Sequence, residues 1–297
     1  MDLNIAIDDN SNRNGLLKNV LERSFEFGFE CVAINTTVES SKLSGKNISI
    51  PEPKSMDFKV KSTRKFRILN RITAIIEDNI HSHHFLRSPV TKKYDILAVQ
   101  PVGEKMLQHA CSTLNVDIIS IDLTQNLGFS LKRTTIRQAI KRGICFEILY
   151  APCLRDQTSK RNVISNGQLL VDVSKEKNIL VSSGASKPLH IRSVEDVMNL
   201  ALLFGFKRNG AEASVKKNGQ LVLKHAGTRN ETGCGFVSLS GLYRLPKHQG
   251  WIVHACKVPK LSEITASTKK KRSKDSGYED KEGSATKKCK VEDNANK

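Results

Sequence analysis

The 297-residue chain contains no apolar run approaching the roughly 18 residues a membrane-spanning helix needs. Its opening, Met1-Asp2-Leu3-Asn4, has neither the basic start nor the hydrophobic segment of a secretory signal. A soluble protein that is not secreted and has no membrane partner is the expectation. Cysteine pairs at redox or metal-ligand spacing are missing too: the seven cysteines, at positions 31, 111, 145, 153, 234, 256 and 289, never form Cys-x-x-Cys. They read as reduced thiols of an intracellular protein, with Cys31, Cys111 and Cys145 as small core residues. No Gly-x-Ser-x-Gly elbow, Walker loop or Gly-x-Gly-x-x-Gly occurs, so the short signatures of serine hydrolases, nucleotide triphosphatases and dinucleotide enzymes are all wanting. Aromatics are 5% of residues and are not interleaved with basic ones, which argues against bases stacking on an exposed sheet.

What the chain does have is positive charge. With 48 Lys and Arg against 30 Asp and Glu the net charge is +18, and an anionic partner follows, nucleic acid ahead of a membrane surface. From Lys257 onward there are 12 basic and 7 acidic residues, so +5 belongs to the last stretch and +13 to the rest. The body itself is therefore expected to meet an anion.

Hydrophobic residues, 38% of the total, suffice for one large α/β domain. The segment Tyr94 to Leu123 shows the organising unit: an apolar run at 96–99, a turn at Pro101 and Gly103, Leu107, Ala110, Cys111 and Leu114 at helical spacing, then a second apolar run at 118–121. Such a unit is a βαβ crossover with strands buried on both faces. Strand-like runs recur at 3–7, 31–34, 72–76, 145–149 and 179–182, with helical stripes between several of them. Ser193 three residues before Asp196 resembles a capping box opening a helix that ends at Gly205. Gln157 to Ser174 reads as an amphipathic helix broken near Asn166 and Gly167, and His81 to His84 as a polar turn. Residues 36–66 read as a long inserted loop rich in Ser, Lys and Pro. Seven strands alternating with helices suit a distorted TIM-like barrel of parallel strands over residues 1–256, an open doubly wound sheet being the alternative. Residues 206–256 stay without an assigned structure, since 221–223 fits a hairpin arm or a helix. Residues 257–297 have almost no apolar content and read as a disordered basic tail.

In a parallel barrel catalysts sit where the strands end. Those ends offer Asp8, Asp9, Asn35, Asp78, Gln100, Asp122 and Ser183. Asp8, Asp78 and Asp122 could hold a Mg²⁺ ion, which would make the chain a Mg²⁺-dependent phosphoesterase, although turns after strands favour Asp for backbone reasons. His81, His83 and His84 suggest zinc, but apart from Asp78 no Cys or carboxylate stands at ligand spacing. Basic residues are better organised: Arg64, Lys65, Arg67 and Arg71; Lys132 and Arg133; Arg137, Lys141 and Arg142; Lys160 and Arg161; Lys224, His225 and Arg229. Together they would read phosphate and RNA shape, although each pair alone fits a solvated helix face. Lys269, Lys270, Lys271 and Arg272, followed after a spacer by Lys287, Lys288 and Lys290, form a two-part nuclear localisation signal or a nonspecific RNA-binding arm. A chromatin or RNA scaffold acting through this tail alone is a third reading.

The motif order brings a family into view. Tyr94-Asp95 and Asp117-Ile118 lead into strands; Ala139 to Gly143 precedes Phe146-Glu147 and Tyr150-Ala151-Pro152. Ser182 to Ala185 comes with Pro188 and Ile191-Arg192, then Leu202 to Gly205, and finally His225 with Thr228-Arg229. From about Leu3 to Gly235 the chain resembles the thirty-kilodalton protein subunits of nuclear ribonuclease P and ribonuclease MRP. The resemblance implies a TIM-type barrel related to the polymerase and histidinol phosphatase superfamily. It implies a non-catalytic subunit of a nuclear and nucleolar ribonucleoprotein, with Mg²⁺ held by the RNA and no cofactor on this chain. The implied partners are the ribonuclease P or MRP RNA, small RNA-binding protein subunits, and precursor tRNA whose 5′ leader the complex removes. Ile7-Asp8-Asp9 stands where metal-dependent superfamily members carry His-x-His. Ala226-Gly227 departs from the family pattern His-Gly-Glu-Thr-Arg, while Thr228 and Arg229 keep it. Arg142, Arg192 and Arg229 are the arginines whose loss is expected to weaken assembly or RNA affinity.

Overall fold

The apolar runs all become strands of one parallel sheet. In the computed structural model, which describes residues 1–6, 13–43, 49–53 and 66–231, the strands are β1 (Asp2–Ala6), β2 (Cys31–Val38), β3 (Arg67–Ile76), β4 (Ile96–Pro101), β5 (Ile118–Ser120), β6 (Cys145–Leu149) and β7 (Ile179–Ser182). They pair in sequence order, every neighbour parallel. Residues just after β7 return to β1: Ala6 N–H donates to Ala185 O at 3.1 Å and Gly184 N–H to Asn4 O at 2.8 Å. The sheet is thus a nearly closed barrel of seven strands, which leaves the open doubly wound alternative behind.

The helices are α1 (Arg13–Glu26), α2 (Asn79–Arg87), α3 (Glu104–Ser112), α4 (Arg133–Lys141), α5 (Ala151–Arg155), α6 (Gln157–Ser174), α7 (Val194–Leu203), α8 (Arg208–Glu212) and α9 (Asn218–Glu231), the last lying across the starts of the strands. The α7 start is as the sequence indicates, with Ser193 Oγ accepting from Asp196 N–H at 3.2 Å. Gly143, at φ +83°, ends α4 in a conformation that disfavours side chains.

Four sequence expectations change. The insertion shortens at its start, because β2 continues to Val38 through the polar Thr36 and Thr37, and the strand expected at 72–76 begins already at Arg67, with the polar Asn70 within it. The histidine-rich turn is helix α2, with His81 buried. Helix α6 is unbroken at Asn166 and Gly167: a Cβ at Gly167 would lie 3.3 Å from the Phe204 ring, so the glycine allows close approach of the chain after α7. Residues 208–231, left open above, are helical, with a π-turn at Ala213–Lys217 between α8 and α9. The boundary at 256 and the tail lie outside the described residues.

Alternation along each strand divides the side chains. Outward residues such as Val99, Ile119, Phe146 and Val181 meet the helices. Inward residues Leu3, Leu69, Ile96, Ile118, Cys145 and Leu180 form an apolar floor near the strand starts, closed by Val222 of α9. Above it the lumen turns polar. Arg71 and Glu147, each 0% exposed, make two bonds of 2.6 Å from Nη1 to Oε1 and from Nη2 to Oε2. Asn4 Nδ2 donates to Glu147 Oε2 at 3.1 Å, Asn35 Nδ2 to Asn4 Oδ1 at 3.0 Å, and Thr73 Oγ1 to Asn35 Oδ1 at 2.7 Å. Arg71 completes its set with Thr73 Oγ1 at 3.2 Å and Leu3 O at 2.8 Å.

Burial alone would raise the Glu147 pKa, but the Arg71 charge and the hydrogen bonds outweigh it and hold the carboxyl below its ordinary value of 4.5. A lowered folded-state pKa gives stability that is present above the unfolded value and lost as pH falls through the folded one. Glu147→Gln leaves an unbalanced buried guanidinium and should cost about 3–5 kcal/mol at pH 7, a melting temperature lower by at least about 6 °C. Its stability should also decline less between pH 5 and pH 2 than the wild type's. Melting curves across that range check both; parallel acid limbs would contradict the assignment.

Candidate functional site

In a parallel barrel each strand ends at one mouth and each following helix runs back to the other, which sorts the candidate residues into two sets. Lys132, Arg133 and Arg192 lie on segments leaving strands, at the C-terminal mouth. Arg67, Lys141, Arg142, His225, Thr228 and Arg229 lie at the opposite end, where β3 starts, α4 finishes and α9 sits against the starts of β4 and β5. Arg64 and Lys65 fall outside the described residues.

At the N-terminal mouth Arg142 and Arg229 are occupied. Asp117, fully buried just before β5, takes a backbone N–H from Leu97 at 2.9 Å. From α9 it receives Arg229, with Nη2 at 3.0 Å from Oδ2 and Nε at 3.2 Å from Oδ1, while His225 Nδ1 stands 2.7 Å from Oδ1. Arg229 Nη2 also donates to Asp95 O at 3.2 Å, and its side chain is only 7% exposed. Arg142 points its guanidinium at the end of α3, donating to the carbonyls of Cys111 at 3.0 Å and Thr113 at 3.2 Å and also to Leu114. Cys111 O belongs to the last turn of α3, whose carbonyls lack helical partners, and a cation there also opposes the dipole. Thr228 Oγ1 donates to His225 O at 2.8 Å within α9. Arg67 and Lys141 are exposed.

Arg71 is a correction. Predicted as a surface contact, it is sealed inside the barrel and has no surface to present to RNA. The sequence grouped it with Arg64, Lys65 and Arg67, but β3 begins at Arg67, and strand alternation turns the fourth residue onward from there inward.

The carboxylates proposed for a metal fare differently. Asp78, exposed, precedes α2. Asp122, also exposed, accepts from Thr124 N–H at 3.0 Å and Thr124 Oγ1 at 2.6 Å, an Asx-turn with a backbone purpose. Asp8 lies outside the described residues. Among the described residues no three His, Cys, Asp or Glu are grouped to hold a metal ion. His84 Nδ1 lies 3.0 Å from Leu43 O. Of the other strand-end candidates, Asn35 belongs to the lumen network, and Ser183 Oγ donates to Asn4 O at 3.0 Å where the barrel closes. The residues that sequence reasoning missed are Glu147 and Asp117. The signal for Glu147 was a lone acid inside the run Cys145–Leu149.

At the C-terminal mouth Lys132 pairs with Glu104 at 2.7 Å on the surface, and Arg133 is exposed. Arg192 uses its N–H on the Tyr150 hydroxyl at 3.2 Å and leaves its side chain half-buried. Burial pushes the Tyr150 hydroxyl pKa up, so it stays protonated.

The family model described as RNase P subunit p30 matches residues 1–231, the whole barrel and α9. The chain belongs to that family. Among its relatives, the mouse protein named Ribonuclease P protein subunit p30 is 38% identical over 228 residues, 75% of this chain and 84% of that protein. The fission yeast Probable ribonuclease P protein subunit 3 is 42% identical over 169 residues, 57% of this chain and 71% of its own. Ribonuclease P/MRP protein subunit RPP1 of Saccharomyces cerevisiae is 27% identical over 224 residues, covering 74% of this chain and 75% of that protein. A chain in the cryo-EM structure of archaeal ribonuclease P with mature tRNA shares the fold at a TM-score of 0.56, with 11% identity, over 82% of this chain and all of that one. This p30-family barrel fastens helix α9 through Asp117, and Arg229 and Arg142 act within the fold. Arg229→Ala strands a buried carboxylate and should speed hydrogen exchange in α9 and the start of β5 while the rest of the barrel stays protected. Unchanged exchange together with lost RNA affinity would instead make Arg229 a direct contact.

Proposed function

We propose that this chain is a protein subunit of ribonuclease P, and of ribonuclease MRP with its role in ribosomal RNA processing. It supports removal of the 5′ leader from precursor tRNA by holding partner subunits and the catalytic RNA, without contributing catalytic side chains. Membership of the p30 family over residues 1–231 carries the reading. Two properties of the molecule support it: a net charge of +18 suited to RNA, and a lumen whose polar centre is already closed by Arg71 and Glu147. Mg²⁺ in such a complex belongs to the RNA. Nuclear residence, with nucleolar enrichment, fits the clusters Lys269 to Arg272 and Lys287 to Lys290. The small RNA-binding subunits of the same particle are its nearest protein partners.

Purification of the tagged endogenous chain from nuclei, followed by sequencing of the bound RNA, checks this. Ribonuclease P or MRP RNA should be the dominant species, and precursor tRNA should be cut at the 5′ leader by the purified particle. Recovery of the chain without either RNA would overturn the proposal.

A further inference from the structure

The loop between β7 and α7 carries features that neither the barrel nor the α9 clamp uses. Pro188–His190 forms a 3-10 turn, fixed by Ile191 N–H on Pro188 O at 3.2 Å and by Arg192 N–H on the Tyr150 hydroxyl. On this turn Leu189 stands 77% exposed, the largest exposure of any bulky apolar side chain among the described residues. Lys187 and Arg192 flank it on the same loop, and Arg155 ends the short helix α5 that leaves the neighbouring strand β6. All three act electrostatically on His190, whose pKa is lowered first by burial and then by their repulsion, and whose Nδ1 is buried with no hydrogen-bond partner. Among the described residues none of the three cations forms an ion pair with a carboxylate. The nearest acids in sequence are otherwise placed: Asp156 caps α6 by accepting from Ser159 N–H, and Glu195 and Asp196 form the first turn of α7. Three cations thus face one histidine with no ion-paired carboxylate among the described residues, and the turn that carries two of them is fixed by its own hydrogen bonds.

We propose that this loop is an RNA-docking site, in which Arg155, Lys187 and Arg192 bind phosphates and Leu189 packs against an unpaired base. The site rests on the reading of the chain as a ribonuclease P subunit and assigns RNA contact to the C-terminal mouth. Cations alone would suit an acidic protein surface equally. An ordered cationic cluster beside one projecting apolar residue suits an irregular RNA strand better, because unpaired RNA offers phosphates and base faces side by side.

The test measures binding of the purified full-length chain to the ribonuclease P RNA of the same source over a series of salt concentrations. Arg155→Gln, Lys187→Gln and Arg192→Gln combined should weaken binding at least tenfold near 0.15 M salt and flatten the slope of log affinity against log salt by about 2 to 3. Leu189→Ala should weaken binding about threefold to tenfold with the slope unchanged. Thermal melts of both variants should match wild type, since none of the four side chains closes the core. If wild type binds and the triple variant binds equally with the same slope, the loop site is wrong and the subunit reading stands. If wild type does not bind this RNA, and the endogenous chain also lacks it, both fall. A triple variant that keeps RNA affinity but loses its protein partners on purification would make the loop a protein contact and overturn the proposal.

Discussion

The Arg71–Glu147 ion pair is the interaction on which the rest of this barrel depends. Removing two charges from water costs several kcal/mol per ion, and only close geometry with the remaining hydrogen-bonding capacity filled can offset it. Here the geometry is two-pronged and the second layer of partners is complete through Asn4, Asn35, Thr73 and the Leu3 carbonyl. Those partners come from β1, β2, β3 and β6, so the pair ties together strands that are not neighbours. Satisfying it requires the barrel to be nearly closed, and the closure by Ser183 and Gly184 against Asn4 is the consequence.

A second buried charge sets the other end. Asp117 faces the strand starts, and the helix that supplies its cation also supplies Val222 to the apolar floor. One element therefore closes the N-terminal mouth and neutralises the acid beneath it. Arg142 does similar work for α3. Of the basic residues that look like an RNA surface in the sequence, Arg142 and Arg229 are spent on the fold at this end while Arg67 and Lys141 stay exposed there, and Arg155, Lys187 and Arg192 stand at the other mouth, two of them on the turn that follows β7. That division explains how a strongly basic barrel keeps a stable core.

Legibility in the sequence follows the same division. Runs such as 118–121, 145–149 and 179–182 announced strands because strands covered on both faces must be apolar throughout, and the cap at Ser193 was readable from two residues. The family was readable because its motifs, each weak, occur in order. The polar interior was not. Arg71 and Glu147 are far apart in the chain, and nothing local says that a guanidinium on β3 meets a carboxylate on β6. Asp117 and Arg229 pose the same difficulty across 112 residues. Helix α9 was equally hidden, because its inward face is short and Gly219 and Gly227 interrupt the helical pattern.

The central claim is that the barrel interior serves shape and the work is done outside it. The most direct measurement replaces the ion pair by apolar residues, Arg71→Met with Glu147→Leu, a change that buried pairs often tolerate in stability. The assembled particle carrying this chain is then assayed on precursor tRNA. The account predicts that particles which assemble cleave the 5′ leader at the wild-type rate with the same Mg²⁺ dependence. Particles that assemble with full RNA content yet cleave more than tenfold slower, or with an altered Mg²⁺ requirement, would place the interior in the chemistry and contradict it.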